Sequence, residues 1–127
     1  MILLAASCLL SGPGCAEAES KPEDTNMEQQ VYTLGVWHVS ENRHQDFINA
    51  WKELGDVFAS LPDPPGKGVL VQSVSDPTLF YSFGPWNSLE AVESMRNDQR
   101  AREGIRKLAD LCIDATPGTY RVVAGSP

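Results

Sequence analysis

Nine consecutive residues, Val31 to Val39, read VYTLGVWHV. β-Branched and aromatic residues dominate them, so they are expected to form a strand. One alternating set is Val31, Thr33, Gly35, Trp37 and Val39; the other is Tyr32, Leu34, Val36 and His38. Both sets are largely apolar. A sheet with one face in water alternates apolar and polar residues more cleanly. This strand therefore needs cover on both faces, and the remaining elements must supply it.

The next segment, NRHQDFINAWKELGDVFASLP, carries Phe47, Trp51, Leu54, Phe58 and Leu61 at helical spacing. Asn42 with Gln45 three residues on suggests a capping-box start, and the Pro-rich stretch from Pro62 ends the helix. VLVQSV, Val69 to Val74, is the second expected strand. Ser75-Asp76-Pro77-Thr78 supplies turn chemistry, and LFYSFG, Leu79 to Gly84, is the third strand. The short link makes these two an antiparallel hairpin. Helical periodicity resumes after Trp86, with Asn87 and Glu90 as a second capping box. Asn97-Asp98-Gln99 is expected to break or bend that helix. Ala101, Ile105, Leu108 and Cys112 continue its apolar stripe, TPGT stops it, and YRVVA, Tyr120 to Ala124, is the fourth strand.

The order β-α-β-β-α-β predicts an α+β ferredoxin-like sandwich: one four-stranded antiparallel sheet with helices on one face. The other face is then bare in a monomer. A second copy packed sheet to sheet about a two-fold axis covers it, and two such sheets can curl into a dimeric α/β barrel. A homodimer is therefore expected.

The chain has 127 residues, consistent with one domain over 27–127. Residues 1–26 read differently: an apolar run, MILLAASCLLSG, precedes a polar acidic spacer. The expectation is a signal or lipoprotein-like segment with a linker, attached to a membrane through a lipid on Cys15, and hence an exported or lipid-anchored protein. The alternative is a start at Met27 and a cytoplasmic protein. The formal net charge of −7 argues against nucleic acid as a partner. Cys8, Cys15 and Cys112 have no zinc spacing and form no disulfide framework. Cys112 is read as a small buried hydrophobe on a helix. No metal site is expected.

From Trp86, Ser88, Glu90 and Ala91 in PWNSLEAV, from the closing PGTYRVVA, and from FINAW in the first helix, the chain resembles the antibiotic biosynthesis monooxygenase family of dimeric α/β barrels. The resemblance covers about residues 28–125. It implies cofactor-independent oxygenation of a small aromatic or quinol-like compound, with no cofactor. Haem-cleaving relatives use an Asn on the first strand, a Trp resembling Trp86 and a His on the second-half helix. Here the first strand has no Asn and residues 87–116 contain no His, so the chain departs from that pattern. Haem binding is the weaker alternative. A non-catalytic homodimeric module of the same fold, binding a small hydrophobic or aromatic ligand or serving as an interaction module, is the main one.

Six residues are candidates for chemistry. His38 is a possible base for a phenolic proton, or a neutral His satisfied in a core or interface. Arg121 is a possible oxyanion stabiliser, or a solvent-facing strand end. Trp86 is either the wall of a ligand pocket or the peg of a strand–helix corner. Tyr81 and Gln72 are expected to contact substrate or else solvent, and Trp37 replaces His38 as the inward residue if the strand register differs by one. Arg96, Arg100, Arg102, Arg106 and Lys107 are interleaved with acidic residues and read as a solvated face laced with i,i+4 pairs.

Overall fold

The computed structural model describes residues 30–127. The readings of the signal-like segment and of Cys15 lie outside them. Seven elements follow one another: β1 (Val31–Val39), α1 (His44–Ala59), β2 (Val69–Gln72), β3 (Leu79–Trp86), α2 (Leu89–Asn97), α3 (Gln99–Asp110) and β4 (Cys112–Arg121). The sheet order is β2-β3-β1-β4, and every neighbouring pair is antiparallel. This is the ferredoxin-like sandwich, its second crossover split into α2 and α3.

Strand alternation decides which residues meet the helices. On β1 the set Val31, Trp37 and Val39 is buried, and on β3 Phe80 and Trp86 are buried. These pack into two apolar clusters. One gathers Trp37, Phe47, Leu54, Phe80 and Leu108; the other gathers Val31, Trp86, Val92, Met95 and Ala101. Phe58 and Ile105 touch both clusters. Truncating a fully buried aromatic such as Phe47 to Ala costs about 3–5 kcal/mol in such a core.

The opposite sheet face carries no helix. Val69, Val71, Tyr81, Phe83 and Tyr120 stand on it, each between 37% and 55% exposed. The cover expected over the second face of β1 is thus absent within one chain.

Several boundaries differ from the sequence reading. α1 has no side-chain cap: its N-cap is Arg43, and Asn42 sits at φ 67° instead. Asn tolerates that left-handed turn because its short amide can bond locally. Gln45 donates to Asn49 within the helix. The second cap shifts by one residue, because Ser88, not Asn87, accepts from the Ala91 N–H at 3.1 Å. Asn87 reaches Asp63 at 2.7 Å. The break at Asp98 is found, with its carboxylate capping α3 through Ala101 N–H at 3.0 Å.

β2 stops at Gln72, where the tight turn takes over and leaves Val74 fully exposed. β4 spans Cys112–Arg121 instead of Tyr120–Ala124. Pro117 and Gly118 read as stop signals, but β4 is an edge strand, where Pro is tolerated. Cys112 accordingly opens a strand. Its thiol donates to the Leu108 carbonyl at 3.3 Å.

Candidate functional site

The two tryptophans of the inner strands are held by mirrored bonds across the sheet. Trp37 on β1 donates from Nε1 to Ser82 Oγ on β3 at 2.9 Å. Trp86 on β3 donates from Nε1 to Thr33 Oγ1 on β1, also at 2.9 Å. In the β1–β3 register Gly35 faces Ser82 and Thr33 faces Gly84, so each indole reaches diagonally past a glycine-containing pair. Gly35 has a steric reason to be glycine. A Cβ there would lie 2.6 Å from Trp37 Nε1, so the indole rests against the bare backbone two residues upstream.

Above this floor, helix α1 contributes Trp51, Leu54 and Phe58, and α3 contributes Ile105. Between floor and helices lies a cleft of about 520 Å³. A second cleft of about 750 Å³ continues towards Gly66, Lys67 and Gly68 and ends at Trp86. The two share Thr33, Trp51, Leu54, Phe58 and Ser82. This seam is mostly apolar. Its central polar groups are the Thr33 and Ser82 hydroxyls. Each accepts an indole N–H and retains its own O–H donor for a further partner.

Arg96, Arg102 and Arg106 line the first cleft, and no Asp or Glu does. Arg96 donates to Thr119 Oγ1 at 2.6 Å. The expected lattice of i,i+4 pairs on this face is not found among the described residues. Arg100 lies 3.8 Å from Asp98, and Lys107 reaches across to Glu53 at 3.1 Å. The clefts contain no His and no Asn, so two of the three residue types used by haem-cleaving relatives are missing there, while the Trp resembling theirs, Trp86, is present. Among the described residues no cluster of three metal-ligating side chains occurs. No helix of the described residues is long and apolar enough to cross a membrane.

The six residues singled out from sequence fall into separate places. Trp37 and Trp86 share the helix-facing side. Trp37 lines the first cleft. Trp86 is 2% exposed, with its ring 5.2 Å from that of Phe58, so it is a peg whose edge closes the second cleft. His38 and Tyr81 belong to the alternate set and face the helix-free side. His38 sits between Leu79 on β3 and Asp114 on β4. Gln72 donates to the Pro77 carbonyl at 2.8 Å and braces the hairpin turn. Arg121 is exposed at the end of β4, opposite Val31, and lines neither cleft. One chain therefore does not bring His38 and Tyr81 together with the two tryptophans.

Sequence reasoning missed Thr33, Ser82 and the cleft arginines as a group. Two signals were present: a hydroxyl residue on each inner strand within apolar neighbours, and a glycine two residues from each strand tryptophan.

No protein-family model matches the sequence, and no curated protein matches it. Solved structures do resemble the fold. SnoaB, a cofactor-independent oxygenase from Streptomyces nogalater, superimposes with a TM-score of 0.70 at 13% identity, covering 78% of this chain and 98% of that one. A candidate antibiotic biosynthesis monooxygenase from Chloroflexus aurantiacus gives a TM-score of 0.62 at 16% identity over 77% and 97% of the two chains. Another from Bordetella bronchiseptica gives 0.65 at 15% identity over 76% and 99%. At such identities the likeness carries the fold and not the chemistry: the chain has the ferredoxin-like fold of these structures.

Proposed function

We propose that the protein is a cofactor-independent monooxygenase that oxidises a small aromatic or quinol-like compound in the cleft between α1 and the sheet. The observation that carries this reading is the pair of free hydroxyl donors, Thr33 and Ser82, fixed by Trp37 and Trp86 in a mostly apolar cleft edged by three arginines. Trp51 and Phe58 border a flat ligand, and the hydroxyls donate to its oxygen. The arginines favour the ionised phenol, because an opposite charge lowers a pKa. The electron-rich phenolate reacts with dioxygen. One oxygen atom replaces a ring hydrogen and becomes a quinone carbonyl; the other leaves as water. All four electrons come from the substrate, so the balance is phenol plus dioxygen to quinone plus water. The cofactor-independent oxygenase SnoaB shares the fold and supports this class of reaction.

The reading includes a homodimer. Val71, Tyr81, Phe83 and Tyr120 form an apolar sheet face that a second copy would cover. His38 belongs to that covered face.

The test is oxygen uptake by the full chain with a panel of naphthols and hydroquinones. Uptake of one dioxygen per molecule oxidised is expected. Ser82→Ala lowers kcat by about a hundredfold if its hydroxyl steadies the developing oxyanion. Binding of the panel without any uptake refutes the oxygenase and leaves the ligand-binding module.

A further inference from the structure

Three of the chain's six arginines, Arg96, Arg102 and Arg106, line one cleft that contains no carboxylate. The chain as a whole is acidic, at −7, so this is a local reversal of sign. Arg102 and Arg106 stand one helical turn apart on α3, where like charges repel each other. Neither has a carboxylate within ion-pair distance among the described residues. Arg96 approaches from α2 and is steadied by Thr119 on β4. Arginines from two helices thus line one mostly apolar slot, and one anion would offset their like charge.

We infer that the cleft selects an aromatic carboxylic acid, with the flat ring under Trp51 and Phe58 and the carboxylate on Arg102 and Arg106. This rests on the cleft being the ligand site and names its substrate class. The shape fits the charge. About 520 Å³ accommodates a small fused-ring body, and a planar guanidinium matches a carboxylate through paired hydrogen bonds. A neutral aromatic would fill the slot and leave the arginines without a counter-charge.

The experiment compares naphthoate with its methyl ester, a pair that differs in charge and hardly in shape. Binding to the full-length protein is followed by quenching of tryptophan fluorescence and by calorimetry. Naphthoate binds about ten- to hundredfold more tightly than the ester, and its advantage shrinks as salt rises. R102Q/R106Q, with both side chains exposed and no cap or core contact removed, brings the acid's affinity down to that of the ester. Equal binding of acid and ester, binding of neither, or an advantage that survives R102Q/R106Q overturns the inference. Oxygen uptake measured in parallel with a hydroxynaphthoate and with the neutral naphthols, which carry the oxidisable phenol, separates the two claims. A carboxylate preference without turnover sinks the oxygenase and keeps the selectivity. Turnover of neutral phenols with no carboxylate preference does the reverse.

Discussion

Gly35→Ala is expected to destabilise the protein although alanine fits a strand better than glycine does. The added Cβ would lie 2.6 Å from Trp37 Nε1 and 2.7 Å from Cε2 and Cζ2. The indole cannot simply swing away. It is 5% exposed, packs 5.6 Å from the Phe47 ring, and is tied to Ser82. Overpacking of this kind costs about 1–3 kcal/mol. Loss of the Ser82 bond adds about 1 kcal/mol. Relief of glycine's conformational entropy returns about 0.5–1 kcal/mol. The net expectation is about 2 kcal/mol, which lowers Tm by roughly 8–16 °C for about 100 folded residues. Urea unfolding followed by circular dichroism measures it. The diagnostic is a double-mutant cycle with Trp37→Phe, whose smaller ring vacates the space the Cβ needs. The double variant should be at least about 1 kcal/mol more stable than the sum of the single effects predicts. A neutral Gly35→Ala, or strict additivity, refutes the account of the cleft floor.

Three further predictions follow from other parts of the molecule. Sedimentation of the full chain should give twice the 13.9 kDa of one chain, and Val71→Asp on the bare sheet face should reduce it to one. Burial, with a smaller contribution from Asp114, pushes the Cys112 thiol up to about 11. At pH 8 its alkylation should be about a hundredfold slower in the folded protein than in denaturant; equal rates would remove that burial. Asp76 accepts from the Thr78 hydroxyl at 2.7 Å and from its N–H at 3.1 Å, and these bonds hold its carboxyl below the ordinary 3.8. A depressed folded value means the bonds are fully present above pH 3.8 and fade as pH falls through the lower folded value. Carboxyl NMR titration should place the Asp76 midpoint below 3.8, and Thr78→Val should raise it.

The fold was legible because its signals are local and repeated. VYTLGVWHV could only be a strand, and Phe47, Trp51, Leu54 and Phe58 could only line a helix facing it. The Asp98 break was legible because Asn97 and Asp98 favour caps over helix interiors. β4 was misplaced because Pro117 and Gly118 are punctuation in most contexts, while an edge strand tolerates them. The site was harder, because function here depends on which side of the sheet a residue faces. Both sets on β1 are apolar, so periodicity could not rank Trp37 against His38 as the cleft residue. The arginines posed the opposite difficulty. Interleaved acids along α2 and α3 suggested i,i+4 pairing, yet Arg102 and Arg106 turn to the cleft while Lys107 takes Glu53 from α1. Sequence spacing does not report which neighbour a long side chain chooses.

Ligand is expected to enter between α1 and the sheet and not against the bare sheet face. The three tryptophan indole N–H signals of the isotope-labelled protein, followed as naphthol is added, locate it. The signals of Trp37 and Trp51 should move together and saturate, while the imidazole of His38 and the ring of Tyr81 stay where they were. Movement of His38 and Tyr81 with all three indoles unchanged would place the ligand on the other face and contradict it.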